Sequence, residues 1–146
     1  MPTTRSYAAA YVQACRDDIA AQIQAYRDLV GAASKASGMS LTRIDAALAA
    51  FEPAFFNNLL VALEMRFVHR LRDLEARDGD PLDEVRLLAA SLMDNRGVLA
   101  GNETIRYDAD KTVLRIDIGD RIMLNADDFE ALCKAFLSAI ESRFPG

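Results

Sequence analysis

Apolar residues along this chain recur mainly at the three-and-four spacing of an amphipathic helix, and one stretch near the C-terminal end switches to alternation. The longest helical pattern runs from Phe55 to Ala76 without a glycine or proline. At about 100° per residue, Phe56, Leu60, Leu63, Phe67, Leu71 and Leu74 form one narrow stripe. Phe55, Ala62 and Met65 lie roughly opposite it. The pattern predicts a central helix buried on two sides in its first half, emerging from a bundle from Arg66 onward.

The flanking patterns are also helical. Val12, Cys15, Ile19, Ile23, Tyr26 and Val30 predict a helix over 6–33, after a frayed start at 1–5. Gly31 and the run Ser34, Lys35, Ser37, Gly38 end it. Thr42 with Asp45 reads as a capping box for a short helix to about Phe51. Pro53 then predicts a kink or break before the central helix. Asp80-Pro81-Leu82-Asp83 starts the next helix, with aspartate at the N-cap and proline in the first turn. It should stop near Asn95 and Gly97. Thr104–Tyr107, Thr112–Ile118 and Arg121–Leu124 alternate or are β-branched, with turns between them. They predict a small antiparallel β-meander over about Thr104–Leu124. Asn125 and Asp128 then cap a last helix carrying Phe129, Leu132, Cys133, Phe136, Ile140 and Phe144. The expected fold is mainly α: a bundle of four to five helices with the meander before the C-terminal helix. Residues 1–146 read as one domain.

Composition narrows the function classes. The 146 residues are 51% hydrophobic and 27% charged, a globular balance. A formal net charge of −5 disfavours nonspecific nucleic-acid binding, which needs a positive footprint. Unbroken apolar runs are short, so no membrane span is expected, and the first residues lack the apolar core of a signal peptide. Cys15 and Cys133 both sit in apolar helical settings. Two buried free thiols in a cytoplasmic protein is the expected state, ahead of a disulfide.

Candidate chemistry is sparse. One histidine and two distant cysteines do not make a metal site, and no nucleophile elbow or phosphate-binding glycine loop occurs. No catalytic, cofactor or metal residue is assigned. The densest basic cluster is Arg66, His69, Arg70 and Arg72. His69 and Arg70 with Asp73, and Arg72 with Glu75, have the spacing of helix-face ion pairs. The bland reading is therefore a solvated, ion-paired face. The functional reading adds residues from the next helix: Arg66, His69, Arg72, Arg86 and Arg96 converging on an anion, for which arginine forks are suited.

The segment from Phe67 to Leu99, with HRLRDLEARDGDPLDEVR and SLMDNRGVL, and the following IDIGDRIMLNADDF resemble small bacterial helical proteins of unknown function. The resemblance covers roughly the C-terminal two-thirds. It implies a soluble bacterial protein and carries no functional residues. The expected function is a non-enzymatic interaction or regulatory domain that forms a homo-oligomer, a dimer favoured, through unpaired meander edges and apolar residues such as Val113. The alternative is a binder of an anionic small molecule, or an enzyme, using the arginine and histidine pocket.

Overall fold

The computed structural model describes residues 3–35, 41–72 and 80–146. Among them are four α-helices: α1 (Ala9–Ser34), α2 (Leu41–Arg66), α3 (Pro81–Asp94) and α4 (Ala126–Arg143). α2 and α4 each pack against the other three helices. One hydrophobic cluster takes residues from all four and from the loop that joins α3 to α4. The stripes legible in the sequence form this core. Val12, Cys15, Ile19 and Ile23 of α1 are buried, with Phe56, Leu60 and Leu63 of α2 and Phe129, Phe136 and Ile140 of α4.

The helix ends follow local chemistry. Asp80 caps α3 by accepting the Leu82 amide at 2.9 Å, with Pro81 in the first turn. Asn125 caps α4 by accepting the Asp128 amide at 2.7 Å. The end of α3 turns on Arg96 and Gly97, both with positive φ (55° and 79°), and the Gly97 amide donates to Ser91 O at 3.1 Å.

The structure corrects five expectations. First, the short and central helices are one. Pro53 lies inside α2, and Thr42 is already helical rather than a cap. Proline removes a single hydrogen bond, and α2 continues past it into the buried positions Phe56, Leu60 and Leu63. Second, the central helix ends at Arg66, ten residues early, in a turn closed by Phe67 N to Glu64 O (3.1 Å) and Arg70 N to Phe67 O (3.2 Å). Third, α2 is not buried on two sides, because Ala62 and Met65 are exposed. Fourth, the chain start is tied down: the Thr4 amide donates to His69 O (2.7 Å), and Leu71 N donates to Thr4 O (2.9 Å). The predicted loop at Ser37 and Gly38, and Asp73, Leu74 and Glu75, lie outside the described residues.

The fifth correction is the meander, of which no strand forms among the described residues. Isolated bridges remain, such as Val98 with Arg121. Leu99 and Ile122 still pair through the backbone with Asp120 and Gly97, but several other backbone groups that a ladder would pair are taken by side chains of the helices. Glu84 accepts the amides of Val113 (2.8 Å) and Leu114 (3.0 Å). Asn57 holds Ile122 O (3.0 Å) and Leu124 N (3.2 Å). Ser91 accepts Ala100 N (3.0 Å), and Glu52 accepts Ala126 N (3.1 Å). Arg115 at φ 57° and a 3₁₀ turn at Ala109–Lys111 break the extended geometry further. Alternation predicted the inward side chains only in part: Leu114 and Ile116 are half-buried, while Ile118 is exposed.

Merging two segments makes the Arg43–Arg66 span long and apolar enough, by length and composition alone, to cross a membrane. The short apolar runs of the sequence did not suggest this. The helix also packs against three others and sends Glu52 and Glu64 into polar contacts, as a central bundle helix does.

Phe67 is fully buried and meets Phe136 edge-on, with ring centres 5.5 Å apart. Phe67→Ala should cost about 3–5 kcal/mol in urea denaturation, as loss of a core aromatic does. An unchanged midpoint would place Phe67 outside the core.

Candidate functional site

Two ion-paired groups lie where α2 ends and α3 begins. The turn after Arg66 folds Arg70 back under the end of its own helix, where only 2% of the residue is exposed. Its guanidinium donates to Phe67 O (3.0 Å), Glu64 Oε1 (2.8 Å) and Leu82 O (3.0 Å), and lies 5.3 Å from the ring centre of Phe136. A cation belongs at a helix C-terminus, where carbonyls lack intrahelical partners. The second oxygen of Glu64 faces Arg86 at 3.7 Å. Beside them, Asp80 is paired with Arg143 of α4 and also caps α3. Each of these carboxylates is matched by a guanidinium that has no acceptor and does not lose its proton. The cluster fastens three helices together and offers no group for proton transfer.

Glu84 and Asp83 of α3 are buried carboxylates too, and Glu84 is the more deeply placed, at 2% exposed. Desolvation raises its pKa above the usual carboxylate range, against the opposing pull of the Val113 and Leu114 amides. Cys133 lies in a cavity of about 260 Å³ between α1 and α4, and burial pushes its thiol up to about 12. It is therefore a thiol at neutral pH and not a nucleophile. Cys15 is buried as well, and both cysteines are unbridged.

The five residues of the anion reading have different surroundings. Arg66 faces α1, with Asp18 Oδ2 at 3.5 Å and Cys15 Sγ at 3.7 Å. Arg86 is half-buried against Glu64. Arg72 donates to Thr104 Oγ1 at 3.3 Å. His69 is exposed, past the end of α2. Arg96 is at the exposed exit of α3, at the edge of an open groove of about 540 Å³ between α2, the end of α3 and the following loop. Of the five, only Arg96 lines this groove, and there it meets Arg121, whose Nη1 donates to Arg96 O at 3.4 Å.

No family model, curated protein or solved structure matches this chain. Roles must therefore come from its own residues.

Sequence reasoning missed Arg70 as a buried group and Arg121 as a groove residue. Arg70 had looked like part of a surface helix, because the leucine stripe continues past Arg66 and conceals the helix end. Nothing local marks Arg121, since Arg96 reaches it only through the folded loop.

Removing Arg70 leaves Glu64 buried beside uncapped carbonyls. Arg70→Ala should cost about 3–5 kcal/mol in denaturant unfolding, whereas Glu64→Leu with Arg70→Met should recover most of it. Equal losses in the single and double variants would contradict the ion-pair account. For Glu84 the folded pKa is raised above the unfolded one, so its contribution is full below the unfolded value and is lost as pH rises through the folded value. The difference in unfolding free energy between wild type and Glu84→Gln should move in favour of the wild type as pH falls from 7 toward 4.5. A difference that is flat with pH would show that Glu84 does not titrate anomalously.

Proposed function

We propose that the chain is a non-enzymatic interaction domain that self-associates, a dimer favoured, through an arm made by the C-terminal half of α1 and the N-terminal half of α2. The observation that carries this reading is burial. None of residues 43–55 of α2 is buried, although Ile44, Leu48, Phe51 and Phe55 are among them. Tyr26 of α1 stacks on Phe51 and Phe55, with ring centres 6.3 and 6.0 Å away, and beyond this stack Leu29 is 49% and Phe51 43% exposed.

Half a long helix with no buried residue draws little stability from its own fold, because helices in water depend on packing of an apolar face. A second copy supplies that packing. Two such arms related by a two-fold axis present the same patch to each other, and the contact closes without leaving a further sticky surface. The edge-strand route to self-association has no strands to support it among the described residues. Two buried, unbridged thiols support a reducing, cytoplasmic setting, and the resemblance noted above implies a bacterial one.

Light scattering coupled to gel filtration tests the reading. The wild type should run as a dimer at tens of micromolar, and Leu29→Glu should run as a monomer with little change in helix content. A wild-type monomer at that concentration, or a Leu29→Glu dimer, would remove the arm as the contact.

A further inference from the structure

The groove beside Arg96 has a chemistry that self-association through the arm leaves unused. Val61, Leu92, Met93 and Ile122 line it with apolar surface, and Arg96 and Arg121 add two positive charges. Six other arginines, Arg16, Arg27, Arg66, Arg70, Arg86 and Arg143, each lie against a carboxylate. Arg96 and Arg121 have no carboxylate within ion-pair distance among the described residues, in a chain with 22 acidic and 17 basic side chains. Two unmatched cations in one concavity of an acidic protein form a local field that favours an anionic visitor.

The loop backbone holds this pair in place. Arg96 has a left-handed conformation that costs energy for most residues other than glycine and asparagine, and such strain persists only where the surroundings enforce it. Gly97 follows, also left-handed, and a Cβ built on it would lie 3.7 Å from Arg121 Nη1, so the guanidinium packs against the loop. Asn57 anchors the chain on either side of Met123 through Ile122 O and Leu124 N. At the mouth, Met93 is 65% exposed. Exposed thioethers are the adaptable apolar contacts of peptide-binding surfaces.

We propose that this groove docks an acidic peptide segment of a partner protein, with Asp or Glu carboxylates on Arg96 and Arg121 and apolar side chains against Val61, Leu92 and Met93. Arginine forks bind carboxylates in two-point contacts. A small anion would use the two arginines but leave the apolar lining uncovered. An alternating acidic and apolar segment uses both, and the open trough between two helices and a loop admits an extended chain.

The test uses the full chain and a random twelve-residue peptide library displayed on phage. Selected peptides should be enriched in Asp or Glu flanked by Leu, Met or aromatic residues. In fluorescence anisotropy, Arg96→Glu with Arg121→Glu should weaken a selected peptide about tenfold or more, as loss of charge-assisted contacts does. Arg96→Asn with Arg121→Gln, which suits the left-handed backbone, should weaken it in the same direction if the glutamate pair fails to fold. Lys134→Glu, a single charge reversal outside the groove, should have little effect. The proposal fails if no peptide is selected, if acidic residues are not enriched, or if the groove variants bind as well as wild type. It fails also if citrate displaces the peptide at equal concentration, which would make the groove a small-anion site. Repeating the titration on Leu29→Glu separates the two readings: the peptide should bind that monomer unchanged. If the groove variants instead dissociate a dimer, the groove belongs to the contact between copies and the peptide reading is overturned.

Discussion

The fold depends on one buried cation. Arg70 leaves its helix, turns beneath it, and joins the end of α2, the start of α3 and a ring of α4 through one planar group. A guanidinium suits this position because its donors radiate in a plane and can reach carbonyls of two segments while its face rests on an aromatic ring. Glu64 makes the burial tolerable, and Arg86 on its other oxygen links the next helix to the same carboxylate. A hydrophobic replacement could match the stability but would not specify where the helix stops. The termination of α2 at Arg66, against a leucine pattern that invites it to continue, follows from this demand.

What could be read from the sequence follows the range of the forces involved. Periodicity predicted the helices and their buried faces, and local capping chemistry predicted the starts of α3 and α4, because both act within a few residues. The absence of a meander was not legible. Val113 and Leu114 alternate as a strand should, but the acceptor that claims their amides is Glu84, 29 and 30 positions away. Pro53 was over-weighted because its local penalty is fixed at one hydrogen bond, while α2 is anchored in the core farther along, at Phe56, Leu60 and Leu63. Arg96 could be picked out in the sequence only as one of five scattered cations, since its neighbour Arg121 is brought up by the loop.

The exposed arm and the groove divide α2 between them. Its first half lies against the end of α1 through the Tyr26, Phe51 and Phe55 stack and presents apolar surface. Farther along, Asn57 and Val61 face the loop after α3. The buried carboxylates Glu64, Asp80 and Glu84, by contrast, are each matched by a guanidinium or by backbone amides.

The way the α3–α4 loop is held has a consequence for its motion. A strand in a ladder opens cooperatively, because each pair supports the next. Here a few backbone bonds join Gly97 and Leu99 to Gly119, Asp120 and Ile122, and the other tethers are separate side chains on helices that stay folded when a tether lets go. Release of the Val113 and Leu114 amides depends on Glu84 and release of the Leu124 amide on Asn57, while the Ile122 amide is held by Gly97 O at 2.7 Å. Amide hydrogen exchange should therefore proceed in patches, by small openings well below the free energy of global unfolding. The Arg121 edge of the groove can then breathe independently of the core, and a visiting chain meets a rim that adjusts while the helices beneath it stay in place.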